Sequence, residues 1–372
     1  MNKTLLMYAA WPALLLLGSV TPVQAQVTIV MDPYLQAVTT TGICVLVESS
    51  VQDTVTVDYG PDGYTNSART ESIEPTDQQT FVHNVKLAGL EPNALYHYRA
   101  RQGRDTTVDA DFRTSVLPGT PFRFAWMADS RSGNAVHDSI ALRIKSAAPA
   151  FSLYGGDISV DSSYSRYKEQ FFRPAEMSLI CRVPFFNAPG NHEKWGTNTQ
   201  AFTQAPSSAS GVQDYYSFDY GDMHLVVVNN EVPYGPGSPQ YDFVENDLKS
   251  TERIWKIVIA HRHPYCAGGH GEDSLMKAMA TKIFEPNNVD VVLSGHSHFF
   301  QHNLVNGVHC LILGTAGAPL YDPGSASYTV KSAKEYNFGI GDVTPTSFHL
   351  MVYNERGAIL DSLVLQKPLS PR

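Results

Sequence analysis

Residues 151–159 read FSLYGGDIS: a short apolar run, two glycines, then an aspartate. A run that stops on Gly-Gly-Asp reads as an interior strand of a layered α/β sheet delivering a polar side chain at its carboxyl end. The design recurs on either side of it. FRFAWMADSR (122–131), VPFFNAPGNHE (183–193), WKIVIAHRH (255–263) and VDVVLSGHSH (289–298) each pass from an apolar run into a short polar string, and LVVVNN (225–230) adds a further strand. IALRIKSA (140–147), QYDFVENDLKST (240–251) and EDSLMKAMATKIFE (272–285) fall between them with helical spacing. Strands and helices in alternation predict stacked sheet and helix layers, with a ligand site beyond the strand ends.

The polar strings are ADSR, GGDIS, GNHE, AHRH and GHSH. A lone histidine is more often a hydrogen-bonded structural residue than a metal ligand, but five such strings in register are not explained that way. Two cations ~3.5–4 Å apart need a bridging carboxylate and neutral nitrogen or oxygen donors. Asp129, Asp157, Asn191, His261, His296 and His298 supply that set. Asp157 is the candidate bridge, because Gly155 and Gly156 allow the backbone to approach the ions closely. His296 and His298 are two positions apart, so in extended chain they point to one side. His261 directly follows its strand and is favoured over His263, which sits beside Pro264 and stays as an alternative. His192 is placed to protonate a leaving alkoxide or hold a phosphate oxygen, with Glu193 orienting it. Gly268-Gly269 would let His270 reach over a substrate; an exposed loop histidine is the plainer reading. His302 and His309 lack such a context and read as packing or surface residues.

The rest of the chain sets the frame. Residues 27 to about 114 hold β-rich runs, including GICVLVE, TVTVDYG, TFVHNVKL and YHYRAR, between Gly, Pro, Asn and Asp turns, the pattern of a small antiparallel sandwich. Leu90, Pro92 and Tyr96 stand as in the tyrosine corner of a fibronectin type III domain. SVLPGTP (115–121) reads as a linker, giving a first domain at 26–117 and a second at 118–372. Residues 1–25 resemble a cleaved signal peptide, with Lys3, an apolar stretch from Leu5 to Val20 and a small-residue exit at Val23-Gln24-Ala25. No later segment reads as a membrane span, so a secreted, periplasmic or cell-surface protein is expected. The net charge of -9 gives no long-range attraction for nucleic acid or anionic membrane. Cys44, Cys181, Cys266 and Cys310 lack the short spacing of a zinc knuckle and read as buried thiols or as one or two disulfides.

Together these strings resemble the purple-acid-phosphatase-like branch of the calcineurin-type metallophosphoesterases. PYLQAV (33–38), YYSFDYGDMHLVVVNN (215–230), SPQYDFVENDL (238–248) and GAILDSLVLQK (357–367) extend the likeness through most of the chain. The resemblance implies a four-layer αββα catalytic domain preceded by an all-β fibronectin-III-like sandwich. It implies one metal on Asp129, Asp157 and His298, and another on Asp157, Asn191, His261 and His296. It also implies substrate contacts from His192 and from His270, nine positions after His261. The ions would be iron, zinc or manganese, the substrate a phosphorylated small molecule or polymer, and oligomeric state is not legible.

Two departures stand out. Where most of the family has Asp-x-His, this chain has Asp129-Ser130-Arg131, and a guanidinium has no lone pair for a metal. Where the purple enzymes carry tyrosine three residues after the bridging aspartate, this chain has Val160. The first metal site is therefore expected to be a ligand short and weakly occupied, with Asn134, Tyr164 or water as candidate substitutes. Arg131 is read as a phosphate contact, as a partial replacement for metal charge, or as a salt bridge holding Asp129 or Asp157. The expected activity is phosphate-monoester hydrolysis by attack of a metal-bound hydroxide, with phosphodiesterase or pyrophosphatase activity as alternatives. The rival class is a non-catalytic surface or adhesion protein with a degenerate metal site.

Overall fold

Successive side chains of a strand face opposite ways, and Phe122–Met127 shows what that produces here. Phe124 and Trp126 enter one apolar layer, while Ala125 and Met127 enter another. In the first layer they meet Leu225, Val227, Ile257 and Leu293 from a second sheet. In the other layer, Ala125, Met127 and Tyr154 pack on Ile140 and Ile144 of helix Asn134–Ala147 and on Leu179 and Ile180 of helix Pro174–Ile180. The far face of the second sheet does the same: Val226, Val258 and Val292 lie on Val244 and Leu248 of helix Pro239–Ser250 and on Met276 of helix Ser274–Met279. The result is helix, sheet, sheet, helix, the αββα layering implied by the family resemblance. The computed structural model describes residues 28–368, so the segment read as a signal peptide lies outside the described residues.

Within the first sheet, Phe122–Met127, Phe151–Tyr154 and Phe185–Asn187 run parallel, and Asn337–Val343 pairs antiparallel with the first of them. In the second sheet, Met223–Val228, Trp255–Ala260, Val291–Ser294 and Val308–Ile312 are parallel. All five polar strings begin at carboxyl ends of these strands. The ends of the two sheets are tied together where the Ala128 N–H donates to the Gly314 carbonyl at 2.7 Å.

Strands between Ile29 and Arg113 build the β-rich N-terminal region. Val45, Val85 and Leu87 of one sheet pack against Val57, Tyr98 and Phe112 of a second, five-stranded sheet. The Tyr96 hydroxyl accepts the Glu91 N–H at 3.0 Å, a bond of the tyrosine-corner kind. The first of these sheets does not stop at the region's edge. Gln36 pairs in parallel with Phe185, which makes Ile29–Gln36 a continuation of the sheet that holds Phe122–Met127, ten strands in all.

The four cysteines are free thiols, so the disulfide option left open by the sequence is not taken. Burial pushes the Cys44 and Cys266 thiols up to about 11.

Candidate metal centre

Three of the residues singled out in the sequence leave their strands in left-handed backbone conformations: Asp129 at φ 48°, Asp157 at φ 53° and His296 at φ 69°. Non-glycine residues rarely adopt this region, and such strain concentrates at functional sites. Two glycines make the turns possible. Gly156, at φ +80°, lies so close to Gly190 that a Cβ would fall 2.5 Å from its nitrogen. A Cβ on Gly295 would fall 2.4 Å from Asp129 Oδ2 and 2.8 Å from Ala128 Cβ.

Asp157 is central and almost wholly buried. Its Oδ1 accepts the His192 N–H at 3.1 Å and lies 3.4 Å from His261 Nε2. Its Oδ2 accepts from Arg131 Nε at 3.2 Å. His261 Nδ1 is 2.7 Å from the Gly155 carbonyl, which can only accept, so the ring proton sits on Nδ1 and Nε2 presents a lone pair. That lone pair faces Asn191 Oδ1 at 3.0 Å as well as Asp157 Oδ1, and His296 Nδ1 is 3.2 Å away. On the other side, His298 Nδ1 donates to the Pro319 carbonyl at 2.8 Å, so its Nε2 lone pair faces Asp129 Oδ1 at 3.6 Å.

Acceptors facing acceptors inside a protein are unfavourable unless a cation lies between them. The protonation states agree. Burial and then the neighbouring Asp157 push the Asp129 carboxyl well up. Burial acts on Asp157 in the same direction, but the imidazoles of His261 and His192 and the Arg131 guanidinium hold it below the usual carboxylate range. Burial lowers His261, His296 and His298, the last to about 4, so all three are neutral donors near neutral pH. The donor chemistry thus fits a cation on the side formed by Asp157 Oδ1, Asn191, His261 and His296. Asp129, Asp157 and His298 also bring ligand atoms within 4.8 Å of one another. That second group differs in one respect: Arg131 is already there, with Nη2 3.4 Å from His298 Nε2.

The other candidate residues fall around this group. His263 is buried, 2.9 Å from Ser297 Oγ, and burial brings it down to about 3; His261, not His263, faces the carboxylate. His192 stands at the rim with Nε2 3.8 Å from Asp157 Oδ2. Glu193 does not orient it. The Glu193 carboxyl accepts the Gly190 N–H at 2.9 Å, while His192 Nδ1 donates to the Val160 carbonyl at 2.8 Å. Burial, followed by Asp157, moves Glu193 up to about 8. Of the candidate substitutes, Asn134 donates its amide N–H to the Glu169 carbonyl at 3.4 Å and leaves its buried Oδ1 without a hydrogen-bond partner, and Tyr164 lies beneath Lys168. His270 is exposed on its glycine loop and stacks on His296, with ring centroids 4.2 Å apart.

Sequence reasoning missed the supports. Ser297 Oγ serves both His263 and the His270 N–H, the latter at 3.1 Å, and Tyr321 stacks on His298 at 4.3 Å between centroids. Ser297 sits inside GHSH and could have been suspected. Tyr321 lies in an irregular loop with no periodicity to mark it.

Residues 132–300 match the family model described as calcineurin-like phosphoesterase, a span that includes Asp157, Asn191, His261, His296 and His298. The fold is that of the metallophosphoesterases: the purple acid phosphatase PPD1 from yellow lupin (Lupinus luteus) seeds superposes with a TM-score of 0.77 at 19% identity, over 90% of this chain and 74% of that one. Among individual proteins, the chain is similar to purple acid phosphatase 21 of Arabidopsis thaliana, 27% identical over 237 residues, 59% of this chain and 53% of the relative. It is also 22% identical over 357 residues to probable inactive purple acid phosphatase 1 of the same plant, 77% of this chain and 58% of the relative. The chain thus spans little more than half the length of these curated relatives.

Proposed function

We propose that the chain is a metal-dependent phosphoesterase acting on phosphate monoesters. The observation that carries this reading is the convergence of Asp157 Oδ1, Asn191 Oδ1 and the His261 Nε2 lone pair, with His296 Nδ1 3.2 Å from His261. Asp157, Asn191, His261 and His296 frame one metal position in this reading, and Asp129 and His298 frame a second with Asp157. Bound metal supplies water activation and charge neutralisation in such a site. The chain's own groups do the rest. His192 Nδ1 is committed as donor to the Val160 carbonyl, so it is the doubly protonated imidazolium whose Nε2–H would hold a phosphate oxygen or pass a proton to the leaving oxygen. Arg131 offers guanidinium N–H groups beside the carboxylate, and His270 overhangs the cluster from the solvent side. The preference for monoesters over diesters or pyrophosphates rests on the likeness to purple acid phosphatases.

In this reading the β-rich region up to residue 117 is a fibronectin-III-like domain ahead of a catalytic domain from 118. The Tyr96 hydroxyl bond and the breaker-rich segment SVLPGTP support that division. Export is inferred from the first 25 residues of the sequence. The test is hydrolysis of a chromogenic monoester by the purified chain, beside a diester and pyrophosphate. Turnover abolished by chelator, restored by added metal and strongest on the monoester is expected; full turnover after metal stripping contradicts the reading. A second reading, phosphate binding without catalysis, is favoured by the relative described as inactive and by Arg131 beside His298. Stoichiometric metal with no turnover on any of the three substrates selects it.

A further inference from the structure

Asp157 divides the cluster into two unlike halves. On its Oδ1 side, which accepts the His192 backbone N–H at 3.1 Å, His261 Nε2 at 3.4 Å and Asn191 Oδ1 beyond it present lone pairs with no guanidinium or ammonium group facing them. On its Oδ2 side the acceptors already face N–H groups. Arg131 Nε donates to Oδ2 at 3.2 Å, and Nη2 stands 3.4 Å from the His298 lone pair. Asp129 is served as well, since both of its oxygens accept the His296 N–H, at 3.2 and 3.0 Å. The Arg131 side chain is only 12% exposed, so the guanidinium is an internal group and not one sampling solvent.

From this we infer that the chain holds one metal ion, on the Asp157 Oδ1, Asn191, His261 and His296 side, and that the Arg131 guanidinium takes the place of a second. The inference rests on the metal-centre reading above and deepens it. A guanidinium keeps its charge at every accessible pH, offers no lone pair to a metal, and directs its N–H groups in a fixed plane. It meets the need that a second cation meets beside Asp157 and His298, neutralising the carboxylate and pairing the imidazole. It also excludes that cation, because its nitrogens take up the same acceptor atoms and a further positive ion would be repelled at contact distance. Asp129 then works as an acceptor fixing the His296 backbone, and so the His296 ring, in position. Arg131 is thereby a built-in monovalent charge that chelators do not remove.

The test is metal stoichiometry on the full chain, reconstituted with manganese(II), freed of loose ion, and read by elemental analysis and by electron paramagnetic resonance. Wild type is expected to hold one manganese per chain with the six-line signal of an isolated ion. Arg131→His, which supplies the missing ligand, is expected to hold two with the broadened signal of a coupled pair. Arg131→Ala, which removes the charge without adding a ligand, is expected to gain a weaker second ion. Two ions in wild type overturn this inference and leave the metal-centre reading standing, whereas none in wild type overturns both. A single ion in all three proteins, or a wild-type ion that survives Asn191→Ala but is lost in His298→Ala, also overturns it.

Discussion

Asp129, Asp157 and His296 are held at φ values that side chains with a Cβ adopt only at a cost, about 1–3 kcal/mol each. The surrounding backbone keeps them there because there is no room to relax: Gly156 is wedged against Gly190, and Gly295 against Asp129. This gives a sharp prediction for Gly295→Ala. The added methyl meets Asp129 Oδ2 at 2.4 Å and Ala128 Cβ at 2.8 Å, both buried. Destabilisation of about 1–3 kcal/mol is expected from overpacking, measured by denaturant unfolding. Metal affinity should fall with it, because the carboxylate must shift. A variant with wild-type stability and metal affinity would show that the turn is not tightly specified. Ligand removal goes further: Asn191→Ala and His296→Ala should each lower phosphoesterase turnover by roughly 100-fold or more with circular dichroism unchanged.

At the scale of elements, the apolar runs were legible because interior parallel strands admit almost nothing polar, and the glycines after them marked where backbone must turn. The polar strings could be placed at strand ends for the same reason. What the sequence does not carry is the partner of each imidazole Nδ1. The Gly155, Val160 and Pro319 carbonyls that fix His261, His192 and His298 are backbone groups, and their position depends on how loops pass one another. The hairpin of Phe300–Val305 and Val308–Ile312 carries another unread pairing, His302 Nε2 with His309 Nδ1 at 2.9 Å and His302 Nδ1 with Asp361 at 3.0 Å. Burial first, then His302, lowers His309 from 6.5 to about 4. The folded chain therefore binds fewer protons at this site than the unfolded chain between those values, and stability is lost as pH falls through that window. Melting temperature against pH should show a steeper decline below about pH 6.5 for wild type than for His309→Gln. Parallel curves would show that the pair contributes nothing to acid sensitivity.

At the scale of the molecule, composition and turn residues pointed to a β-rich first part and an α/β remainder, and both are present. The continuity between them was hidden, because a single parallel pair, Gln36 with Phe185, joins strands about 150 residues apart by the count of positions between them, and no local pattern signals such a pairing. Its consequence is mechanical. One connected apolar cluster runs from Leu35 and Val45 through Phe124 and Trp126 to Leu293. Thermal unfolding should accordingly be one cooperative transition by calorimetry; two well-separated transitions would show that the N-terminal region and the α/β layers are energetically independent.

A cation drawn to acceptor atoms that otherwise face each other is located directly by anomalous scattering from crystals of metal-loaded protein at the absorption edge of that metal. The predicted result is a strong peak enclosed by Asp157 Oδ1, Asn191 Oδ1, His261 Nε2 and His296 Nδ1. No peak among these four atoms, with the side chains unmoved, would contradict it.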